Sequence, residues 1–468
     1  MLDRKLLSYG LNVSLRSLFG IVTIKIITQI FSQKEVGLYY LILSIVQFYN
    51  LVFLNPFNSY YSRNIIDYYK ANKLTQASFF LVLFYLGCGL LSILISFLTF
   101  NYFDLDINIY YFIIFIFLSI IISTVLRNLL QVLNSFDELK KYTLINIISI
   151  FSSLIFSLIL IFYYEKKIIS WLFGIILSES IILLFLSKYI RLPVKSQLRF
   201  TKKEIYNIFT FSIPIMLTTT VLWIQSYSYR FVIKNQFLIE NVAFATIGYS
   251  IASLSFSTVE TLAGNYYKKN ILSNISDFSK SKLTYIWNLT TSRTFFIYII
   301  TCFLILSISK PSLYLITDMS YLNSSLKFVY LGIITEFFRV VNNQFILISN
   351  YSKQTKKSIL PHLIGGLLTC ILFYFYKFST VEGVFYVIIL SNIISLIISF
   401  FSMKSLIDYN LKIKFGKLIL FIIPYILFFI FNVYFFKQNL SINLIILIVI
   451  LMYTFFVYNN NFKLFQIT

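Results

Sequence analysis

The sequence predicts an all-α polytopic membrane protein with about fourteen transmembrane helices. Three observations predict it. Of the 468 residues, 59% are hydrophobic and only 12% are charged, about half the charged share of a soluble domain. Apolar stretches of roughly 20 residues, the length that crosses a hydrocarbon core, recur from end to end. They lack the alternation of a membrane β-barrel, and lipid offers backbone polar groups no partner outside a helix. A soluble globular enzyme, a disordered chain and a disulfide-rich secreted domain are thereby excluded.

The net charge of +22 has the size of a nucleic-acid signal. Its distribution is different: the basic residues are dealt out among short loops instead of forming one patch interleaved with aromatics. A nucleic-acid partner is therefore not expected. Cys88, Cys302 and Cys370 sit singly in apolar runs, and His362 is the only histidine. No metal site or cofactor is expected from them.

The apolar spans run approximately 8–31, 37–58, 77–100, 108–133, 143–163, 168–188, 207–228, 241–263, 287–309, 324–348, 359–377, 381–403, 417–436 and 441–458. The first residues lead straight into a helix carrying Arg16 and Lys25, with no small-residue cleavage site after it, so no cleavable signal peptide is expected. An even number of spans puts both termini on one side. With the N terminus in the cytoplasm, 25 of the 39 Lys and Arg residues fall in inside segments and 8 in outside loops. That bias sets the orientation and suits an anionic lipid surface.

Two long basic inside segments, around Lys188–Lys203 and Lys404–Lys417, divide the chain into residues 1–200 with six helices, 201–404 with six and 405–468 with two. The outside loops are short; the longest, Lys310 to Asn323, has about fourteen residues. That leaves no room for an extracytoplasmic catalytic domain. A faint echo links Glu35-Val36-Gly37-Leu38-Tyr39 with Glu240-Asn241-Val242-Ala243-Phe244 at an offset of about 205, as a parallel repeat of six helices would give.

Polar residues inside spans mark candidate sites, because charge in the bilayer costs at least several kcal/mol. In the first span Asn12, Arg16, Gly20 and Thr23 share one face, while Lys25 lies about half a turn away from Arg16. The second span carries Asn50 and Asn58 near Pro56, which is expected to bend it. The seventh carries Gln225 and Tyr229 beyond Pro214. In the eighth, Ser257 and Glu260 fall in register. Arg127 closes the fourth span, Glu179 interrupts the sixth and Arg293 opens the ninth. Glu336 and Arg339, three residues apart in the tenth, are placed to form an ion pair. Arginine forks bind phosphate oxygens in pairs, and amides and tyrosines suit sugar hydroxyls. An anionic, sugar-bearing substrate fits Asn12, Arg16, Thr23, Lys25, Asn50, Asn58, Gln225, Tyr229, Ser257, Glu260 and Arg293. Glu179, Glu260 and Glu336 are candidates for a coupling proton or sodium ion, although no paired carboxylates show in the sequence. No Walker, zinc or nucleophile-elbow motif is present.

Taken whole, residues 1 to about 410 resemble the polysaccharide transporters of the MOP exporter superfamily, most closely the Wzx-type O-antigen flippases. The likeness rests on Asn12-Val13-Ser14-Leu15-Arg16, on the acidic-x-Gly-x-Tyr turn at Glu35–Tyr39, on Phe211-Ser212-Ile213-Pro214 and on Tyr229-Arg230-Phe231-Val232. In the last the family commonly has Asp where this chain has Tyr229.

The resemblance implies a MATE-like V of two six-helix lobes around a central cavity, here followed by two further helices. It implies transport of an undecaprenyl-diphosphate-linked oligosaccharide from the inner to the outer leaflet of a bacterial inner membrane by alternating access. It also implies that Arg16 holds the diphosphate. A polysaccharide polymerase and a chain-length regulator are the partners such a role suggests, beside membrane lipid. The rival readings are a multidrug or ion antiporter of the same superfamily, a lipid II flippase, and a membrane O-antigen polymerase. The antiporter needs cavity carboxylates where the first span offers arginine, and the polymerase needs a large outside loop.

Overall fold

The computed structural model describes residues 4–103, 107–136, 138–189, 201–273, 280–352, 354, 356–409 and 422–430. All regular structure among these residues is helical. The helices are α1 (Arg4–Ile30), α2 (Gln33–Phe48), α3 (Asn55–Lys70), α4 (Leu74–Phe103), α5 (Ile109–Ser135), α6 (Leu139–Tyr163), α7 (Ile168–Tyr189), α8 (Lys202–Tyr227), α9 (Tyr229–Gln236), α10 (Ile239–Ser273), α11 (Lys280–Ile316), α12 (Leu322–Tyr351), α13 (Lys356–Phe375) and α14 (Val381–Met403). Eleven helices among the described residues are long and apolar enough to cross a membrane. The protein is a multi-pass membrane protein. Of the last two expected spans, residues 422–430 are helical; the rest of 417–436 and all of 441–458 lie outside the described residues.

Local chemistry sets the helix starts. Ser32 accepts a hydrogen bond from the Glu35 amide at 3.3 Å, and the Glu35 carboxylate accepts from the Ser32 amide at 3.4 Å. This capping box opens α2. Thr201 and Glu204 form the same box at the start of α8. The acid of the Glu35–Tyr39 turn is thus a helix cap.

Two sequence expectations are corrected. The second span runs as one continuous helix from Gln33 to Lys70, with six residues, Tyr49–Leu54, in π-helical register between α2 and α3. Pro56 stands at the start of α3. It has no N–H and its ring would crowd the carbonyl four residues back; the wider π turn relieves that crowding without breaking the helix. At the other site, α11 continues through the buried Pro311 to Ile316. The expected fourteen-residue loop shrinks to Thr317 and Asp318, because the Asp318 carboxylate accepts from the Ser320 amide at 2.9 Å and opens the next turn.

The helix order repeats. α2 and α10 begin 206 residues apart, and so do α4 and α11; α5 and α12 begin 213 apart, and so do α7 and α14. Neighbours repeat as well: α4 packs on α5 and α5 on α7, while α11 packs on α12 and α12 on α14.

The chain forms two compact units, residues 1–243 with 366–378 and residues 244–365 with 379–468. The first unit includes α8 and α9, which lie along α2 and α3. Lys73 pairs with Glu204 at 2.8 Å. Phe57 packs edge-on against Phe209, and the Trp223 indole donates to the Ser44 carbonyl at 2.9 Å. A Cβ at Gly37 would sit 2.2 Å from the Ile239 carbonyl oxygen, so only glycine allows that approach. In the second unit, Leu283, Trp287, Ile348, Met403 and Ile407 form an apolar core. Tyr425 and Phe428 pack against α11.

Candidate functional site

Each unit holds a polar cluster inside its helices. In the second unit, Arg339 on α12 donates Nε to Glu336 at 2.8 Å and Nη2 to Glu260 of α10 at 3.0 Å. Asn343, one turn further on α12, donates to the other oxygen of Glu260 at 2.7 Å. Tyr249 of α10 donates to the second oxygen of Glu336. Glu336 is 1% exposed; Arg339 and Glu260 are each 25% exposed. The ion pair expected from the Glu336–Arg339 spacing is present. The expectation of no paired carboxylates is corrected: Glu260 and Glu336 share one guanidinium. They lie on different helices, so spacing along the chain could not disclose them.

Two satellites brace this cluster. Asn342 donates to Ser395 at 3.0 Å and accepts from Ser399 at 2.6 Å, both on α14. Gln344 donates to the Tyr298 hydroxyl of α11 at 2.9 Å. A buried network with its members satisfied holds one arrangement, so the carboxylates keep a fixed geometry. Two carboxylates on one arginine leave a formal −1, which a proton or a small cation can neutralise.

In the first unit, Arg127 of α5 donates Nη2 to the Asn50 side-chain oxygen at 2.7 Å and Nε to the Ser123 carbonyl at 3.2 Å. Asn50 belongs to the π segment and is 8% exposed. The Ser123 hydroxyl donates to Glu179 of α7. Beside them Asn128 donates to the Tyr85 hydroxyl, which donates to Asn58, and Gln131 donates to Ser62. Asn50 and Glu179 are therefore linked through Arg127 and Ser123, and Asn58 belongs to a neighbouring group with Tyr85 and Asn128. Arg127, placed by the sequence at the end of its span, lies eight residues inside α5, about 12 Å from the helix end.

The remaining candidates are placed as follows. Asn12 and Arg16 lie on α1, and their side chains are outside the described residues. Thr23 and Lys25 are half-buried on α1, and Arg293 is half-buried on α11. Gln225 is 6% exposed, and its side-chain nitrogen has no hydrogen-bond partner among the described residues. The Ser257 hydroxyl donates to the Leu254 carbonyl of its own helix at 3.0 Å. Tyr229 is fully buried and accepts from Arg230 Nε at 3.2 Å.

Arg230 explains why Tyr229 is buried. The guanidinium is buried and donates to the Tyr40 carbonyl at 3.2 Å and to Ser44 at 2.8 Å. It also lies over the rings of Tyr40, Tyr227 and Tyr229 at 5.2–5.4 Å. Cation–π contacts in a desolvated setting are worth about 2 kcal/mol, and they stand here where a carboxylate would. Among the described residues, no three of His, Cys, Asp and Glu are grouped as a metal site requires.

No protein-family model matches the sequence, and no curated protein matches it. Solved structures do. The lipid II flippase MurJ in an inward closed conformation matches with TM-score 0.66 and 18% identity, over 95% of this chain and 99% of that one. A MOP superfamily transporter from Pyrococcus furiosus, described as having a binding pocket of reverse polarity, matches with TM-score 0.61 and 13% identity, over 86% of this chain and 95% of that one. A multidrug resistance MATE family transporter in an inward-facing conformation matches with TM-score 0.59 and 14% identity, over 86% and 92%. The chain has the helical fold that these structures share.

Proposed function

We propose that this protein is a flippase that moves an undecaprenyl-diphosphate-linked oligosaccharide, of O-antigen or another surface polysaccharide, across a bacterial cytoplasmic membrane by alternating access. One observation carries the reading furthest: the likeness to the lipid II flippase spans 95% of this chain, against 86% for the multidrug MATE transporter. Arg16 on α1 is the proposed diphosphate ligand, with Arg293 assisting, and both termini are assigned to the cytoplasm. The first two groups of six helices, 1–200 and 201–404, are the proposed rocking lobes.

Glu260 and Glu336 are the proposed coupling carboxylates, and Glu179 is the further candidate. A proton or sodium ion at the Glu260–Arg339–Glu336 cluster would cancel its formal charge. A multidrug antiporter would also use carboxylates, but here Arg339 occupies both, which favours coupling over recognition of a cationic drug.

Leaflet sidedness tests the reading. In cells lacking the protein, an impermeant glycosidase or periodate label is expected to find the oligosaccharide units trapped on the inner leaflet. If single units still reach the outer face and only fail to polymerise, the flippase reading falls. Arg16→Ala is expected to abolish transport and Arg16→Lys to retain part of it; full transport in both would remove Arg16 from the site. For coupling, Glu260→Gln and Glu336→Gln are each expected to abolish the dependence of transport on an imposed proton or sodium gradient in proteoliposomes. Unchanged gradient dependence in both would dismiss this cluster.

A further inference from the structure

The chain passes between its two compact units three times: after Ala243, after Gly365 and after Phe378. The crossing at Phe378 falls in the loop between α13 and α14. The crossing at Ala243 comes about one turn into α10, and a terminal turn can fray without disturbing the rest of a helix. The crossing at Gly365 is different, because it falls in the middle of α13. One continuous helix therefore belongs to the second unit along its first half and to the first unit along its second half.

Each half is fastened to its own unit. In the first half, Pro361 has no N–H, so the Lys357 carbonyl loses its helical donor. The Ser402 hydroxyl of α14 donates to that carbonyl instead, at 3.0 Å, and the Lys357 ammonium donates to Ser405. Hydroxyl side chains commonly supply the donor that a proline removes inside a membrane. In the second half, the backbone at Gly366 lies against α8: a Cβ there would sit 2.2 Å from Val221 Cγ1. Just past the helix end, Gln236 of α9 donates to the Tyr376 carbonyl at 3.3 Å and accepts from the Phe378 amide at 2.8 Å.

Between these two sets of anchors stand Pro361, Gly365 and Gly366. A proline deletes one rung of the helical ladder, and paired glycines take away the side chains that stiffen the next turn. Hinges are a few residues that absorb a change in backbone angles. His362 adds a reason for a second conformation. It is 3% exposed, and its Nδ1 has no hydrogen-bond partner among the described residues. A bend that gives this atom a partner recovers the cost of burying it unpaired.

We infer that α13 is the flexure between the two units, bending at Pro361–Gly366 while each half moves with the unit that holds it. The inference rests on the alternating-access reading above and refines its moving bodies. The helices α8 and α9 are carried with the first unit, although they follow the first group of six in sequence.

Double electron–electron resonance reads this motion in the full-length protein in lipid nanodiscs. The parent carries Cys88→Ala, Cys302→Ala and Cys370→Ala. Tyr110→Cys and Met319→Cys then place nitroxides at two exposed positions, one in each unit; this pair is expected to give two distances. Tyr110→Cys with Leu238→Cys places both labels in the first unit, on either side of residue 200, and is expected to give one. Pro361→Ala restores the missing rung and is expected to lower the minor distance of the first pair at least fivefold. Gly366→Ala combined with Val221→Ala, which makes room for the methyl, is expected to do the same. Pro361→Gly restores the N–H but leaves the backbone free, and is expected to keep both distances within twofold of the parent's proportions. If Pro361→Ala and the double variant both keep the parent's proportions, the flexure is overturned while alternating access stands. Two distances from the Tyr110–Leu238 pair would put the moving boundary near residue 200 and overturn it as well. If the parent gives a single Tyr110–Met319 distance, alternating access falls and the flexure falls with it.

Discussion

Gly37 and Arg230 hold the same junction from two sides. Gly37 lets α2 pass under the Ile239 carbonyl, and Arg230 ties α9 to the Tyr40 carbonyl and Ser44. Gly37→Ala sets a methyl against backbone that cannot move aside, so a loss of about 1–3 kcal/mol is expected, read as a lower Tm of the detergent-purified protein. Arg230→Met removes the donor to Ser44 and the cation from the three tyrosine rings, while the Tyr40 carbonyl keeps the Ser44 hydroxyl as donor; a loss of about 1–3 kcal/mol is expected. Unchanged Tm in both variants would show that this junction does not limit stability. Some of this was legible from the chain alone: Glu336 and Arg339 are close in sequence, so their pairing follows from helix geometry. Glu260 and Asn50 were recognised as polar intruders, but their shared arginines lie on other helices. Tyr229 was read as facing substrate because hydroxyl-bearing aromatics suit sugars; its burial follows from the neighbouring Arg230, which needs the ring.

At the scale of elements, the helix from Gln33 to Lys70 is the irregular one. Its π turn lies just before Pro56 and includes Asn50. Pro56→Ala restores the missing donor and removes the ring, so the segment is expected to anneal toward regular α register. Slower amide exchange across residues 49–56, measured by mass spectrometry, would show it; exchange equal to that of the natural protein would place the cause of the π turn elsewhere. The proline was visible in the sequence and a bend was expected from it. The π register was not visible, since a six-residue shift in hydrogen bonding has no composition of its own. Span positions were legible because hydropathy reports burial in lipid directly. Their ends were less so: Pro311 looks like a stop, yet α11 runs past it.

The whole molecule has a repeat that the sequence barely shows and the helix order shows well. Duplicated helices keep their lengths and neighbours because packing needs only apolar faces of the right size, which many residues supply. The repeat and the compact units do not share a boundary, since α8 and α9 follow α7 in sequence and pack on α2 and α3. A fragment of residues 1–200 therefore lacks part of its own packing surface. It is expected to be cleaved by protease faster in membranes than a fragment of residues 1–273; equal resistance would show that α8 and α9 add nothing to the first unit.

This packing also sets an order of events on the ribosome. The cage around Arg230 cannot close until α9 has left the exit tunnel, some 160 residues after α3, or roughly 10–30 s at 5–20 residues per second. For that interval the polar edge of α2, with the Tyr40 carbonyl and the Ser44 hydroxyl, waits in the membrane for the Arg230 guanidinium. The nascent chain is most exposed to quality-control proteases during that wait, and a slow codon run before α8 would lengthen it.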